Sequence, residues 1–536
     1  MSLPIMREPN VVLIETEAGW KAPERVSEGQ WQDKGLELTI ARNQDVVTVE
    51  LEAATIPVKT IKLRWTVPTR GPLTVLGDHW ERAYGDLEWR GIVPERTMPW
   101  YFLTNDGTVT NGYGVKTGAR SFCYWHLDRD GITFTADVRN GSEGVRLGQR
   151  KLTVAEIVGY EGVDKESSFT AATRFCAIMC ERPVMPAQPV YGGNNWYYAY
   201  GNSSHQEILE DSKFMSSLAS STTNRPYMVI DDGWQLSSGG ACNGGPWLGN
   251  KHFPQMEQLA GEMKEIGVKP GIWFRPLLTS DSELREGIRY TASGGNILDP
   301  SMPSVLDYIA ESQARMVSWG FEMIKHDFST IDMLGQWGFE MKSRTNALTQ
   351  PFHDRTRTTA EITLDLYRVL AESSGKSVVI GCNTVSHLAA GLFEIQRTGD
   401  DTSGRSWERT RYMGINTLAF RMPQHGTFYS HDADCIGITD QIPWELNKQW
   451  LELLAGSGTP LFVSASPSAV TKEQEAALRA AFELAARPLP SGEPLDWLET
   501  TCPSRWLLNG KETEFAWNRE SVELITSAGE DNSWWK

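Results

Sequence analysis

Charged, amide and thiol side chains recur in this sequence where short apolar runs end, and gathered together they would make one polar pocket. Asp231 and Asp232 follow YMVI, Arg275 follows KPGIWF, and Lys325 and Asp327 close FEMIKHD. Cys382 and Asn383 follow SVVIG, Arg397, Asp400 and Asp401 close FEIQRTGDD, and Asp432 and Asp434 lie in SHDADC. One acidic residue at the end of a strand is ordinarily a helix cap, but capping does not account for so many runs ending this way. Cleavage of a glycosidic bond wants two carboxyl groups, one ionised to attack the anomeric carbon and one protonated to neutralise the leaving oxygen. Lys325 beside Asp327 would hold that carboxylate ionised. Asp401, crowded by Asp400, is a candidate for a raised pKa, although Arg397 acts in the opposite sense. The residues alone therefore leave the two roles open.

Such groups converge only if the strands carrying them are parallel and neighbouring. Eight candidate strands follow residue 188: PVYGGNNWYY, YMVIDDGW, KPGIWFRP, FEMIKHDF, SVVIGCN, FEIQRTGDD, GTFYSHDADC and TPLFVSAS. Helix-like segments such as HQEILEDSKFMSSLA, MEQLAGEMKEIG, PSVLDYIAESQARMVSWG and TTAEITLDLYRVLAES separate most of them. Strand–helix alternation on this scale predicts an α/β fold, a (β/α)8 TIM-type barrel, whose active sites lie at the carboxyl ends of the strands. The rival, a doubly wound sheet, lacks the Gly-rich loop expected after a strand. In the fourth run Phe321, Met323, Lys325 and Asp327 share a face. Facing inward, the apolar pair would fill the lower layers, and the two charges at the mouth would pair with each other or with a ligand.

The barrel is expected over residues 184–488. Residues 1–183 read as an antiparallel β-sandwich, from alternating runs such as LELTIA and VVTVELEA, followed by a linker helix in SSFTAATRFCAIMCERP. Residues 489–536, containing WLLNGKETEFAWNRESVELI, read as a small C-terminal β region.

A formal charge of −17 argues against nucleic acid or an anionic membrane as partner. Twenty-one tryptophans raise the expectation of carbohydrate binding, since indole covers apolar sugar faces as well as filling cores. Seven scattered cysteines with no Cys-x-x-Cys pair, and no signal-like or membrane-length apolar run, fit a cytoplasmic enzyme with reduced thiols. His387, His425 and His431 form no recognisable ligand set, so neither metal nor cofactor is expected.

In order and spacing, VYGGNNWYY, VIDDGWQ, the Gly-Ile-Trp of KPGIWFRP, IKHDF, IGCN, RTGDDT and DADC resemble glycoside hydrolase family 36 of clan D, the α-galactosidase group. The resemblance implies a retaining enzyme with Asp327 as nucleophile and Asp401, four residues after Arg397, as acid/base, Asp400 being the near competitor. It implies that Asp231 and Asp232 grip O4 and O6 of galactose, that Lys325 reaches the O3/O4 side, and that Cys382 and Asn383 lie near O2. Trp196, Trp234 and Trp273 become candidate walls of the sugar site, with Trp80, Tyr84 or Trp89 contributed from the N-terminal domain. The sequence departs from the family at Arg275-Pro276-Leu277, where many members carry Glu-Pro-Glu. It departs again at His326, where Trp is common and whose side chain should point away from the barrel interior, and at Asn383, where Gly or Ser is common. The departures at Arg275 and Asn383 leave the reaction class and loosen the sugar. α-N-acetylgalactosamine, β-L-arabinopyranose, another α-glycoside or transfer to a sugar acceptor are the alternatives, with an inactive sugar-binding barrel behind them.

Overall fold

A computed structural model describes residues 3–69, 71–237, 243–292 and 294–517. Two antiparallel sheets come first. The smaller runs Met98–Pro99, Phe122–Asp128, Gly131–Asp137, Val58–Thr66, Val11–Thr16, Gly19–Lys21, and the larger carries nine strands from Glu24–Ser27 to Arg90–Gly91. Their sequences alternate, and burial follows: Leu36, Leu38 and Ile40 are buried while Glu37 and Thr39 are partly exposed. The sheets meet through residues such as Phe102 and Trp125, ring centroids 5.8 Å apart. Helix α1 (Ser168–Met179), N-capped by the Ser167 side chain, leads out of them.

A sheet of parallel strands follows. Its neighbours in order are β1 (Tyr191–Asn194), β2 (Tyr227–Ile230), β3 (Lys269–Phe274), β4 (Met323–His326), β5 (Val378–Gly381), β6 (Ile395–Arg397) and β7 (Ser430–Asp432). On its other edge β1 pairs with β8 (Leu461–Ser464), and β8 pairs with the segment Ile436–Gly437, which begins four residues after β7 ends. Helices His205–Leu218, Met256–Ile266, Pro303–Ser318 and Thr359–Ser373 lie where the sequence reading put them. The last opens with a capping box at Thr358 and Glu361.

One alternation rule builds both the core and the mouth of this sheet. Tyr227, Val229, Met323, Ile380, Ile395 and Phe462 form an inner apolar cluster. Gly271 faces the same space, since a Cβ there would lie 2.9 Å from Val229 and 3.3 Å from Met323. Two residues further along each strand, the same face presents Asp231, Trp273, Lys325, Cys382 and Arg397. Met323 therefore fills the interior as expected. Phe321 does not: it precedes β4 and groups with the outer core. His326 takes the outer face, its ring edge-on to Tyr367 and Phe393 with centroids 5.6 Å away in each case.

The sequence reading missed two features. A five-stranded sheet grows from the loops after β2 and β3, in strands such as Gly244–Gly249 and Gly295–Leu298. After β6 the chain runs Trp407–Arg409, a π-helical stretch Thr410–Asn416, then Thr417–Arg421. In the C-terminal region Glu493–Pro494, Arg505–Leu508 and Lys511–Glu514 make a three-stranded antiparallel sheet, and the rest of the expected β stretch, with Cys242 elsewhere, lies outside the described residues. None of the six described cysteines is in a disulfide, and all are buried. Among the described residues no helix is long and apolar enough to cross a membrane.

Candidate active site

A cavity of about 590 Å³ opens at the carboxyl ends of the parallel strands. Asp231, Asp232, Lys325, Asp327, Asp400 and Asp401 all line it, with Arg397, Cys382, Asn383, Trp196 and Trp273.

Asp327 is 5% exposed and held on both oxygens. Trp273 Nε1 donates to Oδ2 at 2.9 Å, while Asn383 Nδ2 and the Phe328 backbone N–H donate to Oδ1 at 2.6 and 2.7 Å. Lys325 is not the partner the sequence suggested. Its Nζ donates to Asp231 Oδ2 at 2.6 Å, so the two charges of β4 do not pair with each other. Burial would lower the Lys325 pKa, but Asp231, followed by Cys382 and Asp327, outweighs it and holds the ammonium well above its usual range. Asp231 also accepts from Asn194 Nδ2 at 2.7 Å and from the Asp232 backbone N–H at 2.9 Å.

Adjacent strand residues point to opposite faces, yet Asp231 and Asp232 share the pocket. The chain bends there. Gly233 adopts φ +118°, and a Cβ on it would come within 2.4 Å of Gly201 O. Asp232 accepts from Gln235 Nε2 at 2.6 Å, and burial raises its pKa to about 6.

The tandem Asp400-Asp401 is sorted by its partners. Asp400 takes Arg82 Nη1 at 2.9 Å on one oxygen and Arg409 Nη2 at 2.8 Å on the other. Asp401 accepts from Arg397 Nη2 at 2.9 Å and keeps 40% of its side chain exposed to the cavity. Burial raises its pKa, but Arg397, Arg82, Lys325 and Arg409 together bring it below the ordinary carboxylate value. The expectation of a raised pKa is thus reversed, because the four cations outweigh the burial that raises it.

Four residues expected at the site stand elsewhere. Trp234 is fully buried, donates to Trp273 O at 3.0 Å and packs on Trp247 and Trp319. Arg275 turns away from the cavity into a two-pronged pair with Asp332, at 2.9 and 2.6 Å, and also reaches Asn243. Trp80 and Trp89 pack on Trp100 and Trp497, leaving Tyr84 as the expected N-terminal aromatic that lines the cavity. His387 stacks on Trp100 with ring centroids 4.9 Å apart, and the His431 backbone N–H donates to His425 Nδ1 at 3.2 Å.

Asp434 lines the cavity as the strand-end pattern predicted, and so do residues the sequence reading passed over, among them Arg82, Asn194, Tyr197, Trp337 and Phe339. Asn194 ends β1 as Asp231 ends β2, so the strand-end criterion itself would have found it. Asp434 accepts from Arg397 Nη2 at 2.9 Å and from Thr402 N at 2.7 Å, and also from Tyr197. Phe328, Asn383 and Asp434 all have left-handed φ values, 64°, 51° and 84°. Such conformations cost of order 1–3 kcal/mol each and collect where geometry is fixed for function. Asn tolerates this conformation better than most side chains, which suits it to position 383.

Asp432, directly behind Asp434, offers a pH test of the framework. Burial, assisted by Asp434 and opposed by Arg397, raises its pKa from 3.8 to about 6. Its ionisation is therefore easier in the unfolded chain, and stability falls as pH rises from about 4 to about 6. Asp432→Asn, which keeps the shape and removes the charge, is expected to stabilise by roughly 2–3 kcal/mol at pH 8 and by almost nothing at pH 4. Thermal unfolding at the two pH values checks this, and an equal shift at both overturns it.

No protein-family model matches the sequence. Solved structures do resemble the fold. An α-galactosidase of Thermus thermophilus, in complex with p-nitrophenyl α-D-galactopyranoside, superposes with a TM-score of 0.59 at 15% identity, over 90% of this chain and 97% of that one. A family 36 α-galactosidase of Geobacillus stearothermophilus, in complex with 1-deoxygalactonojirimycin, gives 0.62 at 13% identity, over 92% and 79%. The chain has the fold of the glycoside hydrolase family 36 α-galactosidases. The galactosidase domain of an α-galactosidase–sucrose kinase shares that fold too, with a TM-score of 0.56 at 14% identity, over 89% of this chain and 74% of that one. At these identities the family 36 fold is what is shared, and chemistry must be argued from the pocket.

Proposed function

We propose that the protein is a retaining glycosidase that releases terminal α-D-galactosyl residues. Its parallel sheet would close as a (β/α)8 barrel (184–488) between an N-terminal β-sandwich domain (1–183) and a C-terminal β region (489–536). One observation carries the reading: a single cavity at the strand ends holds two carboxylates, Asp327 and Asp401, in unlike surroundings. Asp327, fixed by three neutral donors, attacks the anomeric carbon while Asp401 gives its proton to the leaving oxygen. A water then attacks the glycosyl-enzyme, giving its proton to Asp401, and the sugar leaves with its configuration retained. The cations around Asp401 favour its ionised form, so it must take up a proton for the reaction. A sugar covering its exposed side removes water from it, which moves its pKa upward.

Galactose is favoured by Asp231 and Asp232, two acceptors at one wall suited to hydroxyls at O4 and O6. A site built to bond a hydroxyl rejects an analogue that misplaces it. α-Galactosides are therefore expected to exceed α-glucosides by about a hundredfold or more in kcat/KM. Asp232→Asn should erode that preference more than it slows the poorer substrate. Because Asp232 has a pKa of about 6, the preference should also weaken below that pH. A panel of p-nitrophenyl glycosides tests both statements. Equal rates on the two epimers would remove galactose and keep the two-carboxylate mechanism, and no cleavage of any member would remove the enzyme.

A further inference from the structure

The segment Trp80–Gly85 belongs in sequence to the antiparallel sheets and in space to the pocket. Ala83 N donates to Thr398 O at 2.7 Å, and Asp400 N donates to Ala83 O at 3.0 Å. This parallel bridge between Ala83 and Gly399 brings Arg82 into the cavity wall. Arg421, fully buried, ties the two segments from behind: its Nη1 donates to Glu81 O at 2.7 Å and to Thr398 O at 3.2 Å, and its Nε to Asp78 Oδ1 at 2.9 Å.

Arg82 is itself only 6% exposed. Its guanidinium lies 5.5 Å from the Tyr84 ring and 5.7 Å from the Trp337 ring. Its Nη1 is 2.9 Å from Asp400 Oδ1 and 3.7 Å from Asp401 Oδ1. Asp400 and Asp401 are chemically identical neighbours on one loop. What distinguishes them is that guanidinium groups engage both oxygens of Asp400, one from Arg82 and one from Arg409.

We propose that Arg82 is a positioning residue for proton transfer: with Arg409 it clamps Asp400, so that Asp401 is the member of the pair presented to the glycosidic oxygen. The proposal rests on the reading of Asp401 as proton donor. It makes the antiparallel domain part of the catalytic apparatus. A guanidinium suits the task because its planar fork fixes direction as well as charge, which an ammonium does not. Without Arg82, Asp400 keeps its bond to Arg409 and can turn about it, so that two like carboxylates compete for one proton and for Arg397.

The charges around Asp401 set the second readout. Arg397, Arg82, Lys325 and Arg409 face it as cations, Asp400 and Asp434 lie close by as anions, and the hydroxyls of Tyr197 and Tyr200 border it. Removing Arg82 takes one cation from this set, so Asp401 holds its proton to higher pH.

The test uses the full chain with Arg82→Gln and Arg82→Lys, assayed on methyl α-galactoside, which needs a proton donor, and on α-galactosyl fluoride, which scarcely does. In Arg82→Gln, kcat/KM on the methyl glycoside is expected to fall by about a hundredfold, with less than about a threefold change on the fluoride, since general acid catalysis is worth at least that much. The basic limb of the methyl-glycoside pH profile should move to higher pH. Arg82→Lys should restore the pH limb and only part of the rate. A merely structural role would slow both substrates alike and leave the limb in place, and that result overturns the proposal. If Arg82→Gln does not fold, Arg409→Gln frees the other oxygen of Asp400, and a loss on the methyl glycoside that spares the fluoride is again expected, while equal loss on both substrates overturns the proposal. Asp401→Ala is run in parallel. If it shows no leaving-group dependence, the donor assignment fails. If it does and Arg82→Gln does not, the positioning role fails alone.

Discussion

Asp327→Gly is expected to lower turnover of an activated α-galactoside by about ten-thousandfold or more, as loss of a catalytic nucleophile does elsewhere. The fold should survive, because Asp327 lies beyond the last residue of β4, Trp273 is fixed within β3, and the Asn383 backbone carbonyl accepts from Thr330 N–H at 3.0 Å. Glycine leaves a small space lined by the Trp273 indole N–H, the Asn383 amide and the Phe328 N–H, three donors that had served a carboxylate. Azide is small and anionic and fits that description. It should restore cleavage and give a β-configured glycosyl azide, having attacked from the side the carboxylate had occupied. The product is checked by NMR. A variant that retains more than a small fraction of wild-type activity without azide, or an azide product of α configuration, overturns the assignment.

Asp401→Ala should give the complementary pattern. Loss of a proton donor is expected to slow methyl or sugar-linked α-galactosides by about a hundredfold to ten-thousandfold and dinitrophenyl galactoside far less, because a good leaving group departs without protonation. The four surrounding cations favour the ionised form, so wild-type activity on poor leaving groups should peak on the acidic side and fall as pH rises. Asp400→Ala tests the neighbour. If that variant, and not Asp401→Ala, shows the leaving-group dependence, the two residues exchange roles.

The sequence was most legible where one rule governed many residues. Alternation along a buried strand predicts both the apolar interior and the groups above it, so the strand-end residues Asp231, Lys325, Cys382 and Arg397 all line the cavity. Trp273 obeys the same rule, two residues after Gly271. Trp234 does not, because it follows the bend at Gly233, and beyond a bend the alternation no longer tells which way a side chain points. Arg275 also stands past its strand, where a carboxylate far along the chain, Asp332, decided its direction. Pairing was equally hidden: Lys325 chose Asp231 across the sheet over Asp327 two residues away. The five-stranded insertion escaped notice because strands of two to six residues carry too few positions for a periodicity. Arg82 had no local signal at all, since its role is defined by contacts on a distant part of the chain.

The bridge between Ala83 and Gly399 also bears on how the molecule is made. Synthesis runs from the amino terminus, and domains generally fold as they emerge. The antiparallel sheets can therefore be complete, with Ala83 already displayed, long before the ribosome reaches Thr398. The loop that follows β6 then docks onto a preformed edge. On that order the segment around Ala83 would serve as a template for the loop after β6, and the parallel strands made without it would lack the surface on which that loop rests.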